Sequence, residues 1–335
     1  MKVETLDRLE AVGAAAWRDL HAASHLRSPF LSFTWQREWA RAFASTRRVE
    51  VRTVKDDTGH LIAVLPLYEA EPGLLRLVGG TDVSDYLDLV VAAGREEDAW
   101  GALLQALAGG TGVWDLHVVP AASATATTVP ALARALGLTA TVTPEERCPV
   151  LALPRSWEHY LERLPSKHRH EMQRKIRRFQ RELPEARVAC ADRPAEVETR
   201  FGDFLDLHRR SHVGKARFMD ARMEGFFRRV IAALATDGMA RLWFLDTPSG
   251  PIASFICVEW DGTVGLYNSG FHPASAALSP GLVLLAHLIE DAILRGKRTF
   301  DFLRGEERYK YEFGPVVAEE LVTVRIESPS GVTTA

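Results

Sequence analysis

Cysteine is scarce in this chain of 335 residues. The three cysteines, Cys148, Cys190 and Cys257, lie far apart and form no C-x-x-C pair. This spacing argues against a disulfide framework and against a zinc ribbon. We therefore predict a reduced protein without a structural metal, and we expect Cys257 to be a buried thiol on a core strand.

Long apolar runs are also missing. No stretch approaches the roughly 18 consecutive apolar residues that a transmembrane helix requires. The first residues, MKVETLDRLEAVGAAAW, include acidic side chains and no unbroken apolar run, which is unlike a secretory signal. These absences predict a soluble, cytoplasmic protein with no membrane partner.

The chain has no excess of positive charge. Its net charge of −3 argues against general attraction to nucleic acid. Basic residues are concentrated in segment 167–181, KHRHEMQRKIRRFQR, where Glu171 is the single acid. Apolar residues at helical spacing in the same segment predict an amphipathic helix with basic outer faces. Such a helix either binds a defined anionic ligand or is simply solvated.

Several catalytic motifs are absent. The sequence contains no G-x-S-x-G elbow and no phosphate-binding P-loop. His208 and His212 are four residues apart on a predicted helix, a spacing compatible with a metal site. No third ligand follows in a recognisable pattern, and the neighbouring basic residues repel a cation. We interpret the pair as exposed or cleft-lining, with His212 a substrate contact or proton carrier.

The length suits two domains, and the order of the predicted elements suggests a duplication. The second half is predicted as helix, helix, three-strand meander, helix, strand, loop and strand, and the first half follows a fainter version of that order. We predict an α/β (α+β) fold of two similar halves, each a mixed, mostly antiparallel sheet flanked by helices. The predicted halves are 1–153 and 154–328, and a frayed tail covers 329–335.

A strand, turn and helix at 263–295 are the strongest local signal. Asp261-Gly262 predicts a tight turn into the strand TVGLYNSGF, and Ser279-Pro280-Gly281 predicts the start of a helix that runs to Arg295. Free backbone N–H groups at Gly281 and Leu282, together with the helix dipole, favour a phosphate group. The same pattern is typical of an ordinary capped helix, so the local sequence leaves both interpretations open.

The C-terminal region resembles the GNAT acyltransferases associated with bacterial cellulose and polysaccharide biosynthesis. The resemblance rests on an S-P-G helix start, F-D-F-L-x-G, a Y-K pair and an aromatic-Gly ending, which occur here at Ser279–Gly281, 300–305, Tyr309-Lys310 and Phe313-Gly314. Lys167 and Arg169 match a K-x-R at the start of the basic helix. GGTDVSDYLDLVV, residues 79–91, resembles the N-terminal segment of the same family.

The resemblance implies two GNAT-like halves and an acyl-CoA donor, such as acetyl-CoA, bound by the second half. The donor would lie between TVGLYNSGF and TFDFL, in contact with Tyr267, Asn268 and the segment from Ser279 through Gly281 to Leu282. The chain lacks the fuller Gln/Arg-x-x-Gly-x-Gly/Ala loop of typical GNAT enzymes. The same architecture occurs in Fem-type ligases, which use aminoacyl-tRNA, and the basic helix would suit a tRNA acceptor stem. A non-catalytic scaffold of the same fold is the third alternative.

The implied reaction is acyl transfer to the amine of a small molecule or an amino sugar. Asp301 is a candidate base whose pKa would be raised beside aromatic residues, or else it is an ion-pair partner of Arg304 or Lys310. Lys310 would stabilise the developing charge, with Tyr309 as a further catalytic candidate. The candidate substrate contacts are Asp85, Tyr86, Lys167, Arg169, His212 and Arg304, although turn residues are the simpler explanation of Asp85 and Tyr86.

Overall fold

The computed structural model describes residues 1–314 and 316–328. The predicted tail, 329–335, lies outside the described residues. The chain divides into two compact units, one formed by Met1–Arg147 with the residues from Glu319 onward, the other by Cys148–Ala318. The predicted halves, 1–153 and 154–328, instead kept the last strand with the second half.

The first unit is a mostly antiparallel sheet with helices packed on it. Its strands are β1 (Lys2–Leu6), β2 (Val49–Lys55), β3 (Leu61–Glu71), β4 (Leu74–Leu77), β5 (Val90–Val91), β6 (Val113–Pro120), most of β7 (Thr139–Ala152) and most of β13 (Val316–Glu327). Its helices are α1 (Ala14–Ala22), α2 (Phe33–Phe43), α3 (Glu96–Ala108), α4 (Ala124–Thr127) and α5 (Val129–Ala135). The strand order is β1-β2-β3-β4-β6-β13-β7, and β5 pairs with β3.

The second unit has the same plan. Its strands are the end of β7, β8 (Arg187–Ala191), β9 (Ala240–Thr247), β10 (Gly250–Trp260), β11 (Thr263–Phe271) and β12 (Thr299–Asp301). Its helices are α6 (Trp157–Arg163), α7 (Ser166–Glu182), α8 (Pro194–Ser211), α9 (Val213–Phe218), α10 (Ala221–Thr236), α11 (Pro280–Leu294) and α12 (Arg308–Tyr311). The strand order is β7-β12-β11-β10-β9-β8.

The two units share one succession of elements. In each, an antiparallel meander is followed by a helix and then by a strand parallel to the last meander strand. The meander β2-β3-β4, helix α3 and strand β6 follow this succession in the first unit, and β9-β10-β11, α11 and β12 in the second. The predicted fold class, with mostly antiparallel sheets flanked by helices, is confirmed.

Local sequence explains several of these elements. Asp261 and Gly262 both have positive φ, 46° and 77°, as the two-residue hairpin between β10 and β11 requires. Ser156 caps α6 by accepting a hydrogen bond from the His159 N–H. Helix α11 buries nine of its fifteen residues, among them Val283, Leu284 and Ile289, and is the central helix of the second core.

One local prediction needs correction. The strand predicted over TFDFL ends at Asp301, because Leu303 has a φ of 54°, which ends an extended strand. Helix α9 has no counterpart among the predicted elements.

Candidate active site

Strands β11 and β12 separate after a short parallel pairing. Thr263, Val264 and Gly265 pair with Thr299, Phe300 and Asp301, whereas β11 continues to Phe271. On its other edge, β11 pairs Leu266 with Cys257 and Asn268 with Ile256, so Tyr267 is an extra residue. Such a bulge takes the Tyr267 backbone out of the regular ladder, a feature frequent beside active sites. Beyond Gly265 the edge of β11 is no longer paired with β12, and we call the region between the two separating strands the crevice.

The start of α11 is built to expose backbone donors. Ser279 adopts the left-handed conformation with a φ of 52°, and Pro280, which has no N–H, is the first helical residue. The N–H groups of Gly281 and Leu282 belong to the first turn, where no intrahelical acceptor exists. The space beside Gly281 is open, because an added Cβ would meet nothing within 4 Å.

A small pocket adjoins this helix start. It is lined by Leu282, by Lys167 and His168 of α7, and by Arg308 of α12, together with two glutamates. Glu171 is already paired with Arg174, 2.8 Å away, and that pairing lowers the pKa of Glu171 to about 2. Lys167 and Arg308 can therefore direct positive charge at an anion held by the helix start, although Arg308 also lies 3.9 Å from the second glutamate, Glu312.

Asp301 and Lys310 hold the turn that follows β12. The Asp301 carboxylate accepts a hydrogen bond from the Leu303 N–H at 2.7 Å. The Lys310 ammonium group is buried, donates to the carbonyl oxygens of Leu303, Arg304 and Gly305, and forms an ion pair with Glu307 at 2.8 Å. These contacts explain why a lysine is buried here, and they give both predicted catalytic residues a structural role in the turn.

Tyr309 lies close enough to the Glu307 carboxylate to be affected by its charge. Its side chain is 40% exposed, yet the hydroxyl end is desolvated, and burial together with the negative charge of Glu307 raises its pKa. The phenol therefore stays protonated at neutral pH. It is a proton donor at the surface of the turn.

Lys215 and His208 are two further candidate site residues. The sequence indicates His208 only as half of a histidine pair and does not single out Lys215. Lys215 donates hydrogen bonds to the carbonyl oxygen and, at 3.0 Å, to the hydroxyl of Ser269 on β11. Burial lowers the pKa of Lys215 to about 8, and the charge of Glu307 opposes that shift. The sequence gives little indication of this role, because Lys215 follows several other basic residues and histidines in a predicted helical segment.

His208 is buried behind the bulge. Burial and the nearby charge of Lys215 lower its pKa to about 4, while the Asn268 side chain opposes this by hydrogen bonding to the ring. The imidazole is therefore neutral at pH 7. His212 lies apart from it, at the start of α9, where its Nδ1 accepts a hydrogen bond from the Gly214 N–H. Of the predicted histidine pair, His208 is therefore a buried core residue and His212 is the N-terminal cap of α9.

The remaining predicted residues occupy several places. Tyr267 packs on Phe227 with ring centroids 5.7 Å apart, and Arg169 donates to the Leu161 carbonyl at 3.5 Å. Asp85 and Tyr86 belong to the first unit and are only 5% and 6% exposed, so the structure places both in that core. Within 1–314 and 316–328, no group of His, Cys, Asp or Glu is arranged to hold a metal ion.

Residues 166–311 match the protein family described as acetyltransferase (GNAT) domain. No curated protein matches the sequence. No helix in the described part of the chain is both long and apolar enough to cross a membrane.

Solved structures resemble the whole chain in fold. The crystal structure of FemX aligns with a TM-score of 0.61 at 12% identity, covering 95% of this chain and 96% of that one. The C-terminal domain of a putative lysylphosphatidylglycerol synthetase from Agrobacterium fabrum has a TM-score of 0.61 at 9% identity, with 96% and 93% covered. A tandem GNAT protein from the clavulanic acid biosynthesis pathway has a TM-score of 0.50 at 12% identity, with 97% and 98% covered. The chain therefore shares the fold of these solved structures, and its residues 166–311 match the GNAT acetyltransferase domain family.

Proposed function

We propose that this protein is an acyl-CoA-dependent N-acyltransferase that acylates the amine of a small molecule. The observation that carries the proposal is the crevice where β11 leaves β12, with a bulge at Tyr267 on one side and the start of α11 following in the chain. A thioester arm fits between separating parallel strands, and its phosphates fit the free N–H groups near Lys167 and Arg308. The resemblance to enzymes of polysaccharide biosynthesis favours an amino sugar as the acceptor.

The residues of the crevice suit the three proton and charge changes of the reaction. The bulge at Tyr267 turns the backbone of β11 out of the regular ladder, and we assign the polarisation of the thioester carbonyl to the backbone at this bulge. Lys215, in its neutral form, accepts the proton that the acceptor amine loses as the C–N bond forms. Tyr309, which stays protonated, donates a hydrogen bond to the thiolate as the C–S bond breaks, and the thiolate then takes its proton from solvent. Asp301 and Lys310 position the turn that presents Tyr309.

Thermal unfolding with acetyl-CoA, longer acyl-CoAs and free CoA tests the proposal. We expect a saturable rise in Tm, because a ligand that binds only the native state stabilises it. The double variant Lys167→Ala with Arg308→Ala should lose most of the rise, whereas Arg181→Ala, an exposed residue at the far end of α7, should keep it. No rise with any CoA species would refute the donor assignment.

One observation favours a second candidate, an aminoacyl-tRNA-dependent transferase like the Fem ligases. Arg177, Arg178 and Arg181 all lie exposed along α7, which suits a nucleic-acid backbone more than a single pyrophosphate. Transfer RNA binding that weakens steeply with salt and is lost in Arg177→Glu with Arg178→Glu would support this candidate. Retention of acyl-CoA binding by the same variant would keep the first proposal in front.

A further inference from the structure

The first unit contains a cavity of about 570 Å³ that the acyl-transfer proposal does not use. The segment after α1, the loop from Asp88 to the start of α3, and the region around α4 line it. Its size is that of a small-molecule site. All of the lining residues belong to the first unit, so the cavity is independent of the crevice beside β11.

Asp88 is the most constrained polar group in this cavity. Its Oδ1 accepts hydrogen bonds from the Leu89 N–H at 2.7 Å and from the Thr125 hydroxyl, and that hydroxyl in turn accepts one from the Trp100 indole at 3.0 Å. Both of these bonds end on Oδ1, which leaves Oδ2 as the oxygen available to a ligand. The chain of partners fixes the carboxyl group in one orientation.

The Ser123 hydroxyl lies next to Asp88. It is close enough to lower the pKa of the Asp88 carboxyl, yet Ser123 Oγ is buried and forms no well-aligned hydrogen bond with the described residues. A buried hydroxyl without such a bond costs free energy that a ligand can recover. Thr127 and Thr128 add two further hydroxyl groups to the lining.

The charge of the lining is negative. Glu96 and Glu97 in the first turn of α3 join Asp88, and the lining contains neither lysine nor arginine. His25 is its one basic side chain, 3.8 Å from Glu96. The start of α3 holds the same place in the succession of elements as the start of α11, where Lys167 and Arg308 lie. Because Glu96 and Glu97 lie at the start of α3, this helix start in the first unit disfavours binding of a phosphate group.

We propose that this cavity binds a small molecule that carries a protonated amine and hydroxyl groups. The ammonium group would bind Asp88 Oδ2 with the support of Glu96 and Glu97, and the hydroxyl groups would pair with Ser123, Thr127 and Thr128. A metal ion fits less well, because the described residues contain no group of carboxylates arranged for coordination. The site is distinct from the acyl-transfer crevice and does not depend on it.

Calorimetric titration with ethanolamine, glucosamine and putrescine tests the proposal, with glucose and ethylene glycol as neutral controls. We expect saturable binding of at least one amine and none of the neutral compounds. Asp88→Asn keeps the shape and the hydrogen bond from Leu89, so it should weaken binding at least tenfold without unfolding the unit. Glu96→Gln should weaken it less, and Glu10→Gln, an exposed acid elsewhere in the same unit, should leave it unchanged.

The pH dependence separates this site from any amine bound in the crevice. Burial raises the pKa of Asp88 to about 6, so the carboxylate loses its charge, and the site its affinity, as the pH falls from 7.5 to 5. In Asp88→Asn that dependence should disappear, leaving only the contribution of His25, Glu96 and Glu97. Equal affinity in the wild type, Asp88→Asn and Glu96→Gln, or no binding of any amine, would overturn the proposal.

Discussion

Lys215 of α9 donates hydrogen bonds to both the backbone carbonyl oxygen and the hydroxyl of Ser269, two residues beyond the bulge on β11. These bonds hold an ammonium group with a lowered pKa beside the crevice that opens where β11 leaves β12. A lysine of this kind is able to take up a proton near neutral pH, which a solvated lysine is not. The contact joins α9, which carries the proposed base Lys215, to β11, the strand proposed to hold the acyl-CoA donor.

Lys215→Met should lower kcat at least about a hundredfold, the usual contribution of a positioned acid–base group. In the wild type the rate should rise with pH to a plateau above about 8, because only neutral Lys215 accepts a proton. A pH profile of kcat with saturating acyl-CoA measures both effects. Lys2→Met, at an exposed lysine of the first unit, is the matched control. An unchanged rising limb in Lys215→Met would remove Lys215 from the mechanism.

Lys310→Met should lower the free energy of unfolding by about 2–3 kcal/mol, because three carbonyl oxygens lose a buried charged donor. Denaturant unfolding measures the loss. Arg308→Met, two residues away with a side chain that is 93% exposed, should change stability by less than about 0.5 kcal/mol. Loss of turnover at full stability would instead give Lys310 a direct part in catalysis.

Gly270→Ala should destabilise the second unit by about 1–3 kcal/mol. A Cβ at this position would lie 2.4 Å from the backbone nitrogen of His208, so α8 and β11 would have to move apart. Gly202 lies on α8, where an added Cβ would meet nothing within 4 Å. Gly202→Ala should therefore be neutral or stabilise the unit by up to about 1 kcal/mol. The two unfolding curves measured side by side provide the comparison, and equal stability of the two variants would contradict the close approach.

His117 should make the stability of the first unit depend on pH. Hydrogen bonds that the His117 ring donates to the carboxylates of Asp115 and Glu145 raise the pKa of His117 to about 9. Between pH 6.5, the ordinary pKa of histidine, and pH 9, the folded unit therefore holds a proton that the unfolded chain has lost. The stabilisation, about 2–3 kcal/mol, is complete below pH 6.5 and is lost as the pH rises to 9.

The difference between the wild type and His117→Gln isolates this effect. Other groups also titrate in the interval, among them Lys215, whose lowered pKa acts in the opposite direction. The two proteins should converge in unfolding free energy as the pH rises from 6.5 to 9. A constant difference over that interval would show that His117 is not charged in the folded state.

Much of the second unit followed from local sequence. The turn at Asp261-Gly262 and the start of α11 at Pro280 depend on backbone conformations that only a few residue types adopt readily, and the structure has both. The three meander strands and the long helices depend on apolar periodicity, which the chain displays within each segment. The resemblance of the C-terminal motifs to GNAT enzymes agrees with the family match over residues 166–311.

Contacts between distant segments decided the rest. Residues from Glu319 onward join the first unit because β13 pairs with β6, some 200 residues earlier in the chain, a choice that no local pattern encodes. The Y-K pair predicts a catalytic part for Lys310, and tertiary structure adds that its ammonium group lies among three carbonyl oxygens of the turn. The sequence pattern does not distinguish Lys215 from its basic neighbours, and only burial in the folded unit lowers its pKa. The sequence by itself determined most of the helices, turns and strands, because their signals are short-range, whereas tertiary structure determined the environment of each charge.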